Sequence, residues 1–183
     1  MHMVRFFLSL ALVSAALAHS AFAQQRPAAK NTARASEGEA LEFGKTGSWG
    51  IFTSGKGNAK NCFVRTQPAE RLPKGLTRDP AHMFVTMRQG EATKMEFFNI
   101  TGYSVKPGTD AQISIGNQVF AGVSQNQMVW LKNPAEESRF IGELRKGGSL
   151  SIKGTSLRGN DTTDRYVLTG FAQALERAQK ECS

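Results

Sequence analysis

Side chains that carry chemistry are scarce in this chain. Of its three histidines, His2 and His19 fall in the first twenty positions, so a processed form keeps His82 alone. Hydrolysis of the Ser-His-Asp or Cys-His kind would have to run through that imidazole, which follows Pro80-Ala81 with no nucleophile motif around it. A lone histidine in such a setting reads as structural, and a hydrolase using His82 stands only as an alternative. Cysteine is limited to Cys62 and Cys182, and no His/Cys cluster offers a zinc site. No block of five like charges, heptad run or internal repeat occurs, and no apolar stretch is long enough to cross a bilayer as a helix.

Two apparent ligand motifs fail on inspection. The stretch Gly50-Ile51-Phe52-Thr53-Ser54-Gly55-Lys56 matches the first seven positions of a phosphate-binding loop, but Gly57 stands where a Ser or Thr should hold the metal. A helix should also begin there, and Gly57-Asn58 does not begin one. Asn160, Asp161 and Asp164 lack the spacing of a calcium loop and read as a turn held by Asx and Thr side chains. No cofactor and no metal is expected. Asn99-Ile100-Thr101 and Asn160-Asp161-Thr162 fit the glycosylation pattern, which matters only on a eukaryotic secretory route.

What is present first is an address. Arg5, an apolar run over residues 6–18 and the small-x-small triplet Ala21-Phe22-Ala23 have the form of a secretory signal, with cleavage expected after Ala23. The run is too short to span a bilayer, so residues 1–23 are assigned as signal peptide and no transmembrane segment is expected after cleavage. Removing it takes away one charge, Arg5, from a net +8. The basic balance favours anionic partners, which in a bacterial envelope means lipid head groups, lipopolysaccharide or wall polymers and not nucleic acid. Residues 24–44 read as a disordered lead-in and 45–183 as one domain.

The two cysteines of an exported chain imply one bridge, Cys62–Cys182, the competing reading being two separate buried thiols. The last stretch gives the bridge a physical context. Phe171, Ala174, Leu175, Ala178 and Cys182 fall on one face of a helix opened by Thr169-Gly170, and that face must dock on something. Cys62 and Val64 share one face of an early strand, while Phe63 and Arg65 share the other.

Between these ends the pattern predicts strands over residues 49–53, 62–66, 83–87, 95–100, 113–115, 119–123, 127–132 and 150–152, with a last one ending at 166–168. Gly116-Asn117 marks a two-residue hairpin. Asn133 and Pro134 open a helix buried through Phe140, Ile141 and Leu144 and stopped by Gly147-Gly148. Residues 154–164 read as polar loop. Eight or nine short strands with two helices, one of them C-terminal, predict a mainly β antiparallel sandwich or barrel. Binding is expected where turns hold basic side chains near Pro or Gly: Arg71, Lys74 and Arg78 in the connection over residues 67–80, and Lys153 and Arg158 at a strand end.

Several runs resemble the invasion associated locus B family of exported, mainly α-proteobacterial proteins. They are Trp49-Gly50-Ile51-Phe52, Arg78-Asp79-Pro80, NPAEESR at 133–139, KGTSLRG at 153–159 and YVLTGFAQALERAQKEC at 166–182. The resemblance implies an immunoglobulin-like β-sandwich, a periplasmic or outer-membrane-associated location, a contribution to host-cell entry in pathogenic members, and no enzyme. It carries over no site residue. The combined expectation is a non-enzymatic protein of the periplasm or secreted space, binding or structural in role, whose partner is an envelope protein or an anionic envelope component. A surface-exposed factor aiding host-cell adhesion or invasion is the alternative.

Overall fold

The computed structural model describes residues 39–90 and 94–183. The expected signal peptide, residues 1–23, lies outside the described residues, as does the lead-in up to residue 38. Eleven strands form: β1 (Leu41–Thr46), β2 (Trp49–Ser54), β3 (Asn61–Thr66), β4 (Glu70–Leu72), β5 (His82–Arg88), β6 (Glu96–Ile100), β7 (Ala111–Ile115), β8 (Gln118–Gln125), β9 (Met128–Leu131), β10 (Ser149–Thr155) and β11 (Asp161–Val167). Helix α1 (Glu137–Arg145) precedes β10, and α2 (Phe171–Glu181) follows β11. All pairings are antiparallel, in the order β1-β2-β3-β5-β6-β9-β8-β7-β10-β11-β4.

The architecture is mainly β and sandwich-like, and its layers come from one continuous sheet that turns back on itself. Strand alternation supplies the inner face: Cys62 and Val64 of β3, Met83, Val85 and Met87 of β5, Ile113 and Ile115 of β7, and Leu150 and Ile152 of β10 all enter one core. Polar bonds tie strands that are far apart in the sheet order. Tyr166 Oη of β11 donates to Asn99 Oδ1 of β6 at 2.6 Å, and Trp49 Nε1 of β2 donates to the Val167 carbonyl at 3.1 Å. Burial holds the Tyr166 hydroxyl far above its ordinary pKa, so it stays a donor.

Helix α2 closes this core with the stripe read from its sequence. Phe171, Ala174, Leu175 and Ala178 are buried against β1, β2 and β3, and the Phe171 ring meets Trp49 edge-on with centroids 4.8 Å apart. Its start needs a glycine. Gly170 sits at φ +91°, and a Cβ there would lie 2.6 Å from the Thr46 carbonyl oxygen. At the far end Cys182 is bonded to Cys62 with Cα atoms 6.0 Å apart, so the bridged reading holds over the two separate thiols. Lys60 Nζ reinforces the junction, reaching the Glu181 carbonyl at 2.8 Å and its carboxylate at 2.6 Å.

Helix α1 begins as expected. Asn133 Oδ1 accepts from the Ala135 N–H at 3.1 Å, and Pro134 opens a short 3-10 turn ahead of the helix. Phe140 then packs between Phe97 and Phe120, with centroids 4.6 and 5.0 Å away. Glu137 turns inward and accepts the Phe97 N–H.

Three expectations are corrected. The ordered chain takes in residues 41–44, assigned to the lead-in, because β1 pairs with β2 from Leu41 through a bulge between Glu42 and Gly44. The connection over residues 67–80 contains β4, three residues whose pairing with β11 is carried by backbone bonds and not by apolar alternation. The polar run 154–164 is in large part strand, because β11 turns Thr162 and Asp164 inward, where no hydrophobic period betrays it.

Two measurements test this arrangement. The chain-entropy model makes a bridge across a sequence separation of 120 worth roughly 4 to 5 kcal/mol, so Cys182→Ser should lower the unfolding free energy by up to that amount, and denatured, unreduced protein should titrate no free sulfhydryl. Burial pushes the Glu137 carboxyl up to about 7 from an ordinary 4.5, against the Phe97 N–H and with help from the Glu96 charge. The folded chain holds that proton more tightly than the unfolded one, so this stabilisation is complete below about pH 4.5 and is lost as pH rises through about 7. Glu137→Gln keeps an acceptor for Phe97 and should remove that slope from urea unfolding followed between about pH 5 and pH 8.

Candidate functional site

Three connections meet at one end of the sheet: residues 73–81 before β5, residues 101–110 after β6, and the turn between β10 and β11. Backbone bonds lock them together. Asp79 N–H donates to the Gly102 carbonyl at 2.9 Å, Leu157 N–H to Ser104 at 2.7 Å, and Thr101 N–H to Gln127 at 2.8 Å. Gly102 is required at the crossing, since at φ +69° a Cβ would stand 2.1 Å from the Asp79 carbonyl oxygen. Between them lies a cleft of about 370 Å³, lined by Leu76, Thr77, Arg78, Asp79, Tyr103, Gln127, Leu157, Arg158, Asn160 and Thr162 among others.

Beneath the cleft is a buried carboxylate held by two arginines. Arg71 Nε donates to Asp164 Oδ1 at 3.1 Å, its Nη1 to the Asp79 carbonyl at 2.7 Å and its Nη2 to the Thr101 carbonyl at 2.6 Å. Arg78 reaches the same Asp164 oxygen at 3.4 Å and the carbonyls of Leu72 and Pro73 at 3.4 and 3.1 Å. Asp164 is 4 % exposed and Arg78 6 %. Burial raises the Asp164 pKa, while the Arg71 hydrogen bond and the charges of both arginines pull it back. The three side chains therefore tie β4, the connection after it, the Thr101 turn and β11 into one unit.

The five basic residues singled out in the sequence thus separate. Arg71 is engaged behind the cleft. Arg78 forms part of its wall with its charge matched by Asp164, and exposed Arg158 stands at its rim without an ion pair among the described residues. Lys74 is exposed on the neighbouring loop, and Lys153 is exposed on β10 opposite Thr163 and Gln112; neither lines the cleft. Tyr103, Gln127 and Thr162 were not read as cleft residues in the sequence because they come from two turns and a strand far apart in the chain. Thr162 Oγ1 donates to the Gly154 carbonyl at 2.9 Å, so in its pair with Tyr103 the tyrosine is the donor. Burial raises the Tyr103 pKa and keeps that proton in place.

His82 lies elsewhere, on an open groove with Glu42, Lys45 and Arg65. Its Nδ1 is buried without a hydrogen bond, and burial together with the charges of Arg65 and Arg71 lowers its pKa. Among the described residues no carboxylate accepts from its Nδ1 in the manner of a catalytic triad. No cluster of three or more metal-ligating side chains occurs among the described residues. Asp161, read as a turn residue, accepts from Thr155 Oγ1 at 2.9 Å across the β10–β11 hairpin.

Asp164→Ala should cost about 3 to 5 kcal/mol, because it leaves two guanidinium groups without their buried partner. Arg158→Ala should change stability by no more than about 0.5 kcal/mol. Urea unfolding of the two variants separates the structural arginine cluster from the cleft's exposed cation.

No protein family described by sequence and no curated protein matches the chain. Among solved structures, the crystal structure of invasion associated protein B from Bartonella henselae is similar, with a TM-score of 0.55 and 18 % sequence identity over 77 % of this chain and 97 % of that one. That similarity is one of fold, and it runs over a chain whose described residues form a mainly β, sandwich-like body with two helices.

Proposed function

We propose that this chain is a non-enzymatic binding protein of the cell envelope, which holds an anionic envelope component at the cleft between Arg78 and Arg158. The observation that carries the reading is the charge arrangement there. Arg78 is matched by Asp164, whereas Arg158 is exposed and unmatched at the rim, beside the amides of Gln127 and Asn160. Asp79 also lines the cleft, and the exposed guanidinium beside neutral amide donors suits a phosphate or carboxylate more than a neutral ligand. The export signature and the Cys62–Cys182 bond support an oxidising, extracytoplasmic setting.

The protein of similar fold is described as invasion associated, which favours a second reading, a surface-displayed factor that aids host-cell adhesion or entry. Recovery from osmotic-shock fluid alone would exclude it.

The primary test is capture from envelope extract on immobilised protein at two salt concentrations. A charge-driven partner should elute at high salt. Arg158→Glu should reduce capture at least about tenfold, since a hydrogen bond to a charged group contributes about 1.5 to 3 kcal/mol. Capture unchanged by Arg158→Glu and by salt would remove the cleft as the binding site.

A further inference from the structure

The outward face of the sheet carries a second, chemically different surface. Register places Lys45, Gly50, Arg65, Phe84, Phe98, Trp130 and Val123 in one row across β1, β2, β3, β5, β6, β9 and β8. Beside it stand Phe52 and Phe63, directly paired. An antiparallel sheet that faces water on one side is polar there by default, so half-buried Phe63, Phe84, Phe98 and Trp130 with exposed Val123 form an exception.

Ring orientation narrows what this face can take. Phe52 and Phe63 stack with centroids 5.1 Å apart and planes within 8°, and Phe84 and Phe98 with centroids 4.5 Å apart and planes within 9°. Those separations match the spacing of neighbouring strands, so each ring turns one face to its partner. The Phe52 ring also has the Arg65 guanidinium 4.5 Å from its centroid, which reduces the flat aromatic surface open to a sugar or a nucleobase. Alongside Phe63 and the Phe84–Phe98 pair lies a groove of about 470 Å³, lined also by Thr86, Arg88 and Met95. Thioether side chains adapt to a flexible apolar ligand.

Charge fixes the polarity of the ligand. Arg88 ends β5 at the mouth of the groove, exposed and in no ion pair among the described residues. Among the described residues lining this face, Lys45, Arg65 and Arg88 outnumber Glu42 and Glu96. Pairing two copies face to face would bring two net-basic faces together, so the charge balance disfavours a second copy.

We propose that this groove binds a single-chain anionic amphiphile, its alkyl chain lying across β3, β5 and β6 against the phenylalanine side chains and its acidic head on Arg88. The site is separate from the Arg158 cleft, and its failure would leave that reading untouched. Titration calorimetry with monomeric dodecanoate should show saturable one-to-one binding, weakened at least tenfold by Arg88→Glu and by Phe84→Ser, and unaffected by Arg158→Glu. Dodecyltrimethylammonium should bind at least tenfold more weakly. Arg88→Glu alters an exposed side chain, so the test survives if Phe84→Ser fails to fold. Absence of dodecanoate binding would overturn the proposal, as would equal affinity for the cationic analogue. So would binding confined to phosphatidylglycerol vesicles, which would make the face a membrane contact, or a dimer in sedimentation equilibrium that dissociates when Phe84 is replaced.

Discussion

The apolar stripe of α2 is the contact on which the other parts depend. Without it Trp49, Ile51, Cys62 and Val64 would present the inner face of β2 and β3 to water, and the sheet could not close over a single core. Burying a Phe or Leu side chain is worth about 1.5 to 3 kcal/mol, so Phe171 and Leu175 together contribute on the scale of a small domain's whole net stability. The bond from Cys182 to Cys62 and the Lys60–Glu181 pair then hold the helix at its far end. Packing selects the position of α2, and the covalent link narrows the alternatives open to the unfolded chain.

At the opposite end of the molecule the organising element is polar. One buried carboxylate gathers two guanidinium groups and, through them, four backbone carbonyls from the end of β4 and from two connections. Loops that would otherwise move independently share one electrostatic centre, and this is what lets a cleft with a defined rim form there. Arg158 projects from this rigid base, whereas Arg71 and Arg78 are consumed in building it. Basic residues close in sequence can therefore play opposite parts, depending on whether a carboxylate lies beneath them.

Legibility in the sequence followed hydrophobic period. The stripe of α2, the Asn133-Pro134 helix start, the Gly116-Asn117 hairpin and the inward side of β3 each have an apolar rhythm or a turn signal, and each stands where it was expected. Strand β4 and the first half of β11 escaped because their order comes from pairing partners and from a buried ion cluster, neither of which leaves a period of two. Arg71 and Arg78 looked like ligand contacts because their partner Asp164 lies more than eighty residues away. The outward aromatic row was hidden for a similar reason. Phe63, Phe84, Phe98 and Trp130 are ordinary strand residues one by one, and only cross-strand register puts them side by side.

The distance in sequence between the two bridged positions bears on how the molecule matures. Cys62 precedes Cys182 by 120 residues, about one full domain, and the sequence holds no other thiol between them. A chain with two cysteines has one intramolecular pairing open to it, so oxidation cannot scramble the connectivity and needs no reshuffling step. Seating the last helix brings the two sulfurs within bonding distance, so the finished bond fastens the final element of the fold to one of its first.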